Sequence, residues 1–277
     1  MQRIGQHSTA RLDYSLESWL SERDTKEIFS SEYWNNESIE ASKSFNVRKG
    51  FDSLESDSHF KNLLKTFREV SDECSLDWKN KSILSLGSGI CWLESWFFKD
   101  KDFGFLNALD FSRHRIFDLA PITLAEYGIP ADKVRLIHGS FLDLKLPDRS
   151  QDVVLMAQAF HHCDEPVRLL KEVDRVLKPE GLVIVLGEHY FSKTQILVKT
   201  FKHFAKYFLN YRNYRGAHSV FPQYKSLFPP CAVKGDHHYS ITDYHYMFDR
   251  QGFAHQRFAW PHMGLQGFKL ERKIRPI

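Results

Sequence analysis

The chain has 277 residues, of which 42% are hydrophobic and 26% charged; this length and balance exclude a disulfide-stapled mini-protein, a fibre and a disordered chain. Thirty-eight basic against 35 acidic residues give a formal charge of +3, too near balance for a general polyanion binder, so nucleic acid is not an expected partner. Cys74, Cys91, Cys163 and Cys231 form no C-x-x-C pair, which points to reduced thiols rather than a zinc site or a disulfide framework.

In chain order, the first 80 residues are polar and Ser-rich, with helical periodicity over Leu16 to Phe29 and His59 to Val70. Leu63, Leu64, Phe67 and Val70 fall on one face of the second stretch, which is expected to pack on the domain C-terminal to it. The start of the chain has no apolar leader core, and runs such as Leu182 to Leu186 are far below spanning length, so a soluble, cytoplasmic protein without a transmembrane segment is expected. From Lys81 to Glu188 short apolar runs alternate with amphipathic stretches, the pattern of βαβ units. Strands are expected at Ser82 to Leu86, Phe105 to Leu109, Val134 to Ile137, Asp152 to Ala157 and Leu182 to Leu186. Helices are expected at Trp92 to Lys99, Arg115 to Tyr127 and Glu165 to Leu177, the last stopped by Pro179 and Gly181. The alternation then lapses for about 50 residues, an interruption that usually marks a functional element. It resumes with a helix at Ile241 to Arg250 and strands at Gln256 to Trp260 and Gly267 to Arg272. The expected fold is α/β: a seven-stranded, mainly parallel sheet with an N-terminal helical segment or lid (1–80), a core (81–188 and 236–277) and a cap after the fifth strand (189–235).

The sharpest signal is the strand-to-helix turn Ile83-Leu84-Ser85-Leu86-Gly87-Ser88-Gly89-Ile90-Cys91-Trp92. Gly87 can take a positive φ, and Gly89 leaves the backbone open to a close ligand where the next helix begins. The second strand ends at Asp110, 21 positions beyond Gly89, where a carboxylate can accept both hydroxyls of an adenosine ribose. A dinucleotide or S-adenosylmethionine would satisfy that pair. Trp92 stands where a dinucleotide site needs a small residue beneath the pyrophosphate, which disfavours the dinucleotide.

The stretches ILSLGSGICWLE, LNALDFS, VRLIHGSFLDLKLPDRSQDVVLMAQAFHHCDEPVRLLKEVDRVLKPEGLVIVLGEHY and, more weakly, ITDYHYMFDRQGF resemble the class I S-adenosylmethionine-dependent methyltransferases, particularly their ubiquinone-biosynthesis and natural-product subgroup. The resemblance covers Lys81 to Tyr190 and implies a Rossmann-like core. It implies a cofactor site in which Gly87, Ser88 and Gly89 meet the methionine moiety, Asp110 takes the ribose and Phe111 lies beside the adenine. Ser140 and Phe141 stand at the adenine-contact block and Gln158 lines the methyl site. Three positions depart from the family pattern: Ser85 replaces an acid, Cys91 a third Gly, and Ser140 an Asp or Asn. Glu94, one helical turn on, is a candidate source of the missing carboxylate.

Candidates for the chemistry cluster just past the fourth and fifth strands, where open α/β sheets place ligands. A hydroxyl acceptor must lose its proton, which calls for a base near neutral pKa. His161 and His162 follow the fourth strand, and Glu188 and His189 end the fifth; Glu188 can orient either of the paired histidines. His237 and His238 form a second cluster that could line the acceptor pocket. With Asp236 they hint at a metal, yet no third and fourth ligands stand at recognisable spacing, so no metal site is expected.

The near-neutral total charge is uneven. Between residues 189 and 235 there are eight basic residues and no Asp or Glu, whereas the other 230 carry 30 basic and 35 acidic ones. Nineteen of the 40 aromatic residues fall after His189. Phe201, Phe204, Phe208 and Tyr211 would share one helical face, with Lys199, Lys202 and Lys206 toward another. This composition suits a solvated basic cap helix, a pocket for an anionic substrate, or docking on a membrane or nucleic acid. The reading is methyl transfer from S-adenosylmethionine to a small-molecule acceptor, on oxygen of an anionic or sugar-derived metabolite. RNA methylation and non-catalytic binding of the cofactor are the alternatives.

Overall fold

The computed structural model describes residues 13–21, 52–53, 56–209, 231, 235–260 and 265–273. Eight strands form one sheet: β1 (Ser15–Ser18), β2 (Ser82–Leu86), β3 (Phe105–Asp110), β4 (Val134–His138), β5 (Gln151–Ala157), β6 (Leu177–His189), β7 (Phe253–Trp260) and β8 (Leu265–Arg272). Their order is β1-β4-β3-β2-β5-β6-β8-β7. Neighbours are parallel from β1 through β6, while β8 runs antiparallel to both β6 and β7.

The central strands are covered on both faces, which is why they read as unbroken apolar runs. Side chains alternate across the sheet. Ile83, Leu155 and Ile184 join one core with α1 (Ser58–Glu73), α2 (Trp92–Phe98) and α3 (Ala120–Glu126). Leu84, Val154 and Val185 join the other with α4 (Pro166–Val176) and α6 (Ile241–Arg250). On α1 the four expected residues Leu63, Leu64, Phe67 and Val70 are all buried, with the Phe67 ring 4.1 Å from that of Phe97. Trp92 opens α2 and meets Phe60 of α1 edge-on at 4.4 Å. α6 begins at a capping box in which Ser240 and Asp243 bond each other's backbone N–H groups.

Four features differ from the sequence reading. The sheet has eight strands rather than seven, because residues read as the start of a helix at Leu16 form edge strand β1. Its side chains are largely exposed, so no alternation betrays it; backbone pairing to β4 and a bond from Trp19 N to His138 O (2.8 Å) hold it. The expected helix from Arg115 opens as a wide π turn, Arg115–Leu119, before α3, whose first turn contains Pro121, a residue without an N–H to donate. β6 begins at Leu177, since the segment with Pro179 and Gly181 bulges out opposite Gln151 and Val153 instead of ending the pairing. The lapse after Glu188 contains α5 (Lys193–Leu209). Tyr211 and Arg212 of the cap lie outside the described residues.

Candidate functional site

The strands of the parallel region are buried up to their C-terminal ends, and there Gly87, Phe111, Ser140, Gln158 and His162 become half-buried. They stand along the carboxyl edge where the strand order reverses at β2, the place of the ligand-binding cleft in open α/β sheets. Gly87 has φ +72° and Gly89 φ +54°. The Gly87 and Ser88 N–H groups donate to Leu109 O at 2.8 and 3.1 Å, which ties the turn to β3. Gly89 N donates to Asp110 Oδ2 (2.8 Å) and Ser112 N to Oδ1 (2.7 Å). Burial raises the Asp110 carboxyl despite these bonds. An ionised carboxylate has about four acceptor positions, so two remain for ribose hydroxyls.

Residues of the turn divide by direction. The buried Ser88 hydroxyl donates to Leu109 O at 3.3 Å, so this side chain braces the turn against β3. Ser140 Oγ accepts from Leu142 N at 3.2 Å and holds the turn that carries Phe141. Phe141 packs over Gly87, and a Cβ on that glycine would stand 2.5 Å from Ala159 Cβ and 3.2 Å from Phe141 Cζ. At Gly89 a Cβ would meet only Arg115 Nη1, at 3.7 Å. Gly87→Ala is therefore expected to cost about 3 kcal/mol or more through overpacking and strain. Gly89→Ala should cost about 1 kcal/mol of backbone strain yet raise the Kd for S-adenosylmethionine by at least roughly tenfold, since its methyl group enters the ligand's space. Thermal unfolding and calorimetric titration of the two variants check the contrast.

Two departures from the family pattern are compensated locally. Cys91 adopts the left-handed conformation (φ 56°) that the family's glycine would take there. Ser85 donates its hydroxyl to Glu94 Oε1, so a carboxylate from α2 is returned to the strand position that lacks one. Glu94 is 2% exposed, and burial pushes its carboxyl up to about 7 against the Ser85 bond. A raised native pKa means that stability is full below the unfolded carboxyl's range and falls as pH rises through about 7. At pH 8 the ionised group costs about 3 kcal/mol. Glu94→Gln should raise the Tm at that pH by roughly 6–12 °C and remove the decline between pH 5 and 7, read by thermal unfolding across pH.

The catalytic candidates meet at the ends of β5 and β6. A register shift between Val185 and Glu188 marks a bulge at Gly187 (φ +72°), which turns Glu188 into the protein. Glu188 Oε1 accepts from Phe160 N (3.1 Å), and Oε2 accepts from His161 N (3.1 Å) and lies 2.9 Å from His161 Nδ1. The buried Tyr244 hydroxyl reaches Oε2 at 3.2 Å and the His189 carbonyl at 3.1 Å. Burial alone would raise Glu188, but the adjacent His161 outweighs it and holds the carboxyl below its ordinary value. Burial would likewise lower His161, and Glu188 outweighs it and leaves the imidazole raised.

His162 forms a second pair, with Nδ1 3.1 Å from Asp236 Oδ1. The adjacent His162 holds the Asp236 carboxyl below its ordinary value. The side chain of His162 is 17% exposed against 4% for His161, so His162 is the one that faces the cleft. The His161 ring lies 4.2 Å from that of His162 and 4.9 Å from that of His189, which stands at the solvent rim. Segment 235–240 is drawn beside this cluster by a bond from His237 N to His161 O (2.8 Å). The His237 side chain pairs with Asp164 at 2.7 Å and stacks on Tyr239, whereas His238 lies against Phe191 at 5.3 Å. His161, His162 and Asp236 bring donor atoms within 4.8 Å of one another, a set that could close on a metal ion. Sequence spacing could not supply that third donor, because Asp236 arrives from beyond the cap.

Sequence reasoning missed Tyr244 as a support of Glu188 and Asp236 as the partner of His162. Tyr244 sat in the ITDYHYMFDRQGF block with no chemical signal. Asp236 precedes two histidines, and only the return of the chain across the sheet edge shows which histidine it serves.

Residues 84–185 match the family described as Methyltransferase domain. Over 153 residues, 50% of the chain, the sequence is 28% identical to a demethylmenaquinone methyltransferase of Bacillus licheniformis; the match spans 64% of that relative, less than two thirds of its length. Two solved structures share the fold. One is a SAM-dependent methyltransferase from Aquifex aeolicus, 15% identical with a TM-score of 0.50 over 82% of this chain and 97% of that one. The other is the [4+2]-cyclase SpnF, 14% identical with a TM-score of 0.55 over 76% of this chain and 82% of that one. With the glycine turn, the strand-end Asp110 and this sheet order, the match places a Rossmann-like methyltransferase domain over residues 84–185.

Proposed function

We propose that the protein transfers a methyl group from S-adenosylmethionine to an oxygen of a small, anionic or sugar-derived acceptor. The observation that carries this reading is the pair of His–carboxylate contacts, His161–Glu188 and His162–Asp236, beside the glycine turn at the carboxyl edge of the sheet. The residues fit the cofactor: Gly89 leaves an approach to the backbone, and Asp110 retains acceptor positions. When bound, S-adenosylmethionine supplies an electrophilic methyl group on a sulfonium. Gly87, Gly89 and Gln158 hold its methionine end in place, so that an acceptor oxygen can lie in line with the transferred carbon.

His162 takes the acceptor proton, and the Asp236 carboxylate beside its ring stabilises the imidazolium that forms. His161 and Glu188 are positioning residues: their buried pair fixes the turn on which His162 stands. The local repairs at Ser85 and Cys91 speak against a non-catalytic relic, since the cofactor turn keeps its geometry. RNA methylation is disfavoured, since Gln158-Ala159-Phe160-His161 stands where an exocyclic-amine enzyme carries an N-P-P-Y type motif. Incubation with methyl-labelled S-adenosylmethionine and a panel of phenols, carboxylic acids, sugar phosphates and demethylmenaquinone, the acceptor named for the Bacillus relative, should label a small molecule. Label appearing only in added RNA would defeat the proposal.

A further inference from the structure

We propose that α5 is an interfacial helix that docks the protein on the surface of an anionic lipid bilayer. The helix leaves the carboxyl edge of the sheet just past His189, beside the isolated bridge between Phe191 and Ser240. Its 17 residues span about 26 Å. Ile196, Thr200, His203 and Phe204 are half-buried toward the body of the protein. Leu197, Val198 and Phe201 face outward and are 69%, 46% and 72% exposed. These are three of the seven exposed large hydrophobic residues among the described residues, and the other four are scattered across the fold. Isolated apolar side chains on a surface need no explanation, but a contiguous ridge does.

The charges around the ridge identify what covers it. Residues three and four apart are neighbours on a helix. Lys193 therefore extends the row of Leu197 and Phe201, and Lys202 extends that of Val198, so the apolar ridge is bordered at both ends by exposed lysines. Lys199 is exposed as well, with its ammonium group 5.2 Å from the centre of the Phe191 ring. Segment 189–235 holds eight basic residues and no acidic one, in contrast to the acidic remainder of the chain. The bases of RNA stack on an aromatic ring such as Phe201 but leave the aliphatic Leu197 and Val198 without a partner. A neutral apolar surface leaves the lysines without one. Anionic headgroups over acyl chains satisfy both, which is the arrangement of helices that lie in the membrane interface. Among the described residues no helix is long and apolar enough to cross a membrane, so the contact is with one leaflet. Docking by α5 sets the adjoining carboxyl edge of the sheet close to the bilayer.

The test is co-sedimentation of the full chain with vesicles of phosphatidylcholine, with and without phosphatidylserine, at low and high salt. The protein is expected to sediment with the phosphatidylserine vesicles and to be released by salt. Leu197→Asn with Phe201→Asn should lower the partition by at least roughly tenfold, and Lys193→Glu with Lys202→Glu should abolish the preference for phosphatidylserine. All four positions are exposed, so circular dichroism should show unchanged folding. Equal partition of wild type and the asparagine variant would overturn the proposal. So would a wild-type dimer in light scattering without vesicles that the asparagine variant cannot form, because a second copy would then be the occupant. Tighter binding of wild type to homopolymeric RNA than to the vesicles would also overturn it.

Discussion

Glu188→Ala is expected to lower the Tm by at least roughly 6 °C and to leave little protein with a native unfolding transition. Four donors converge on this carboxylate: Phe160 N, His161 N, His161 Nδ1 and the Tyr244 hydroxyl. Removing it strands them in a region that is 0% exposed at Glu188 and 3% at His161, and breaking a buried pair in this way costs about 3–5 kcal/mol. In a chain of this size that corresponds to roughly 2–4 °C per kcal/mol. The pH dependence has two signs. The lowered Glu188 contributes stability that is present above the unfolded carboxyl's range and lost as pH falls through its native value. The raised His161 contributes stability that is present below the unfolded imidazole's range and lost as pH rises through its native value. Wild type should therefore gain stability from the pair across the interval between them, and Glu188→Ala should lose that gain. Tyr244→Phe removes one of the four donors and should cost only about 1 kcal/mol. Thermal unfolding from acid to mildly alkaline pH measures all three proteins.

His162→Ala should lower turnover by about 10²–10⁴-fold while leaving the Kd for S-adenosylmethionine within roughly twofold of wild type. The side chain is half-buried, and the proposed cofactor contacts lie on Gly87, Gly89 and Asp110 instead. Asp236→Asn should give a smaller loss, because the amide keeps the shape of the side chain but removes the negative charge that stabilises the protonated ring. Turnover on the acceptor found in the labelling panel, with calorimetry of each variant, separates the two effects. Full turnover in His162→Ala would transfer the role of base away from this residue.

Most of the fold was legible because its signals are local. β2 and α6 match the sequence reading residue for residue, and β3, β4 and β5 differ by one residue at an end, since unbroken apolar runs bounded by Gly or Asp have few alternatives. Edge strand β1 was misread because its pairing rests on backbone bonds to β4 and its side chains are mostly exposed. The bulges were invisible for a similar reason: the jump opposite Pro179 and Gly181 and the turn at Gly187 are set by pairing partners far away in sequence. Within the site, Gly87, Gly89 and Asp110 were readable from spacing. The division of labour between the histidines was not. Glu188 stands equally ready in sequence for either, and the Gly187 bulge commits it to His161, leaving His162 to a carboxylate 74 positions away. Glu94 illustrates the middle case, because an absent acid at Ser85 and a surplus one a helical turn later were both visible, and the fold joined them.

The chemistry at His162 depends on the glycine turn and Asp110 holding S-adenosylmethionine. Isothermal titration of the purified chain with S-adenosylmethionine is the decisive experiment: saturable one-site binding is expected, weakened at least roughly tenfold in Gly89→Ala. An absence of saturable heat at high micromolar cofactor, with the protein shown to be folded by its thermal transition, would mean that the turn does not hold the cofactor.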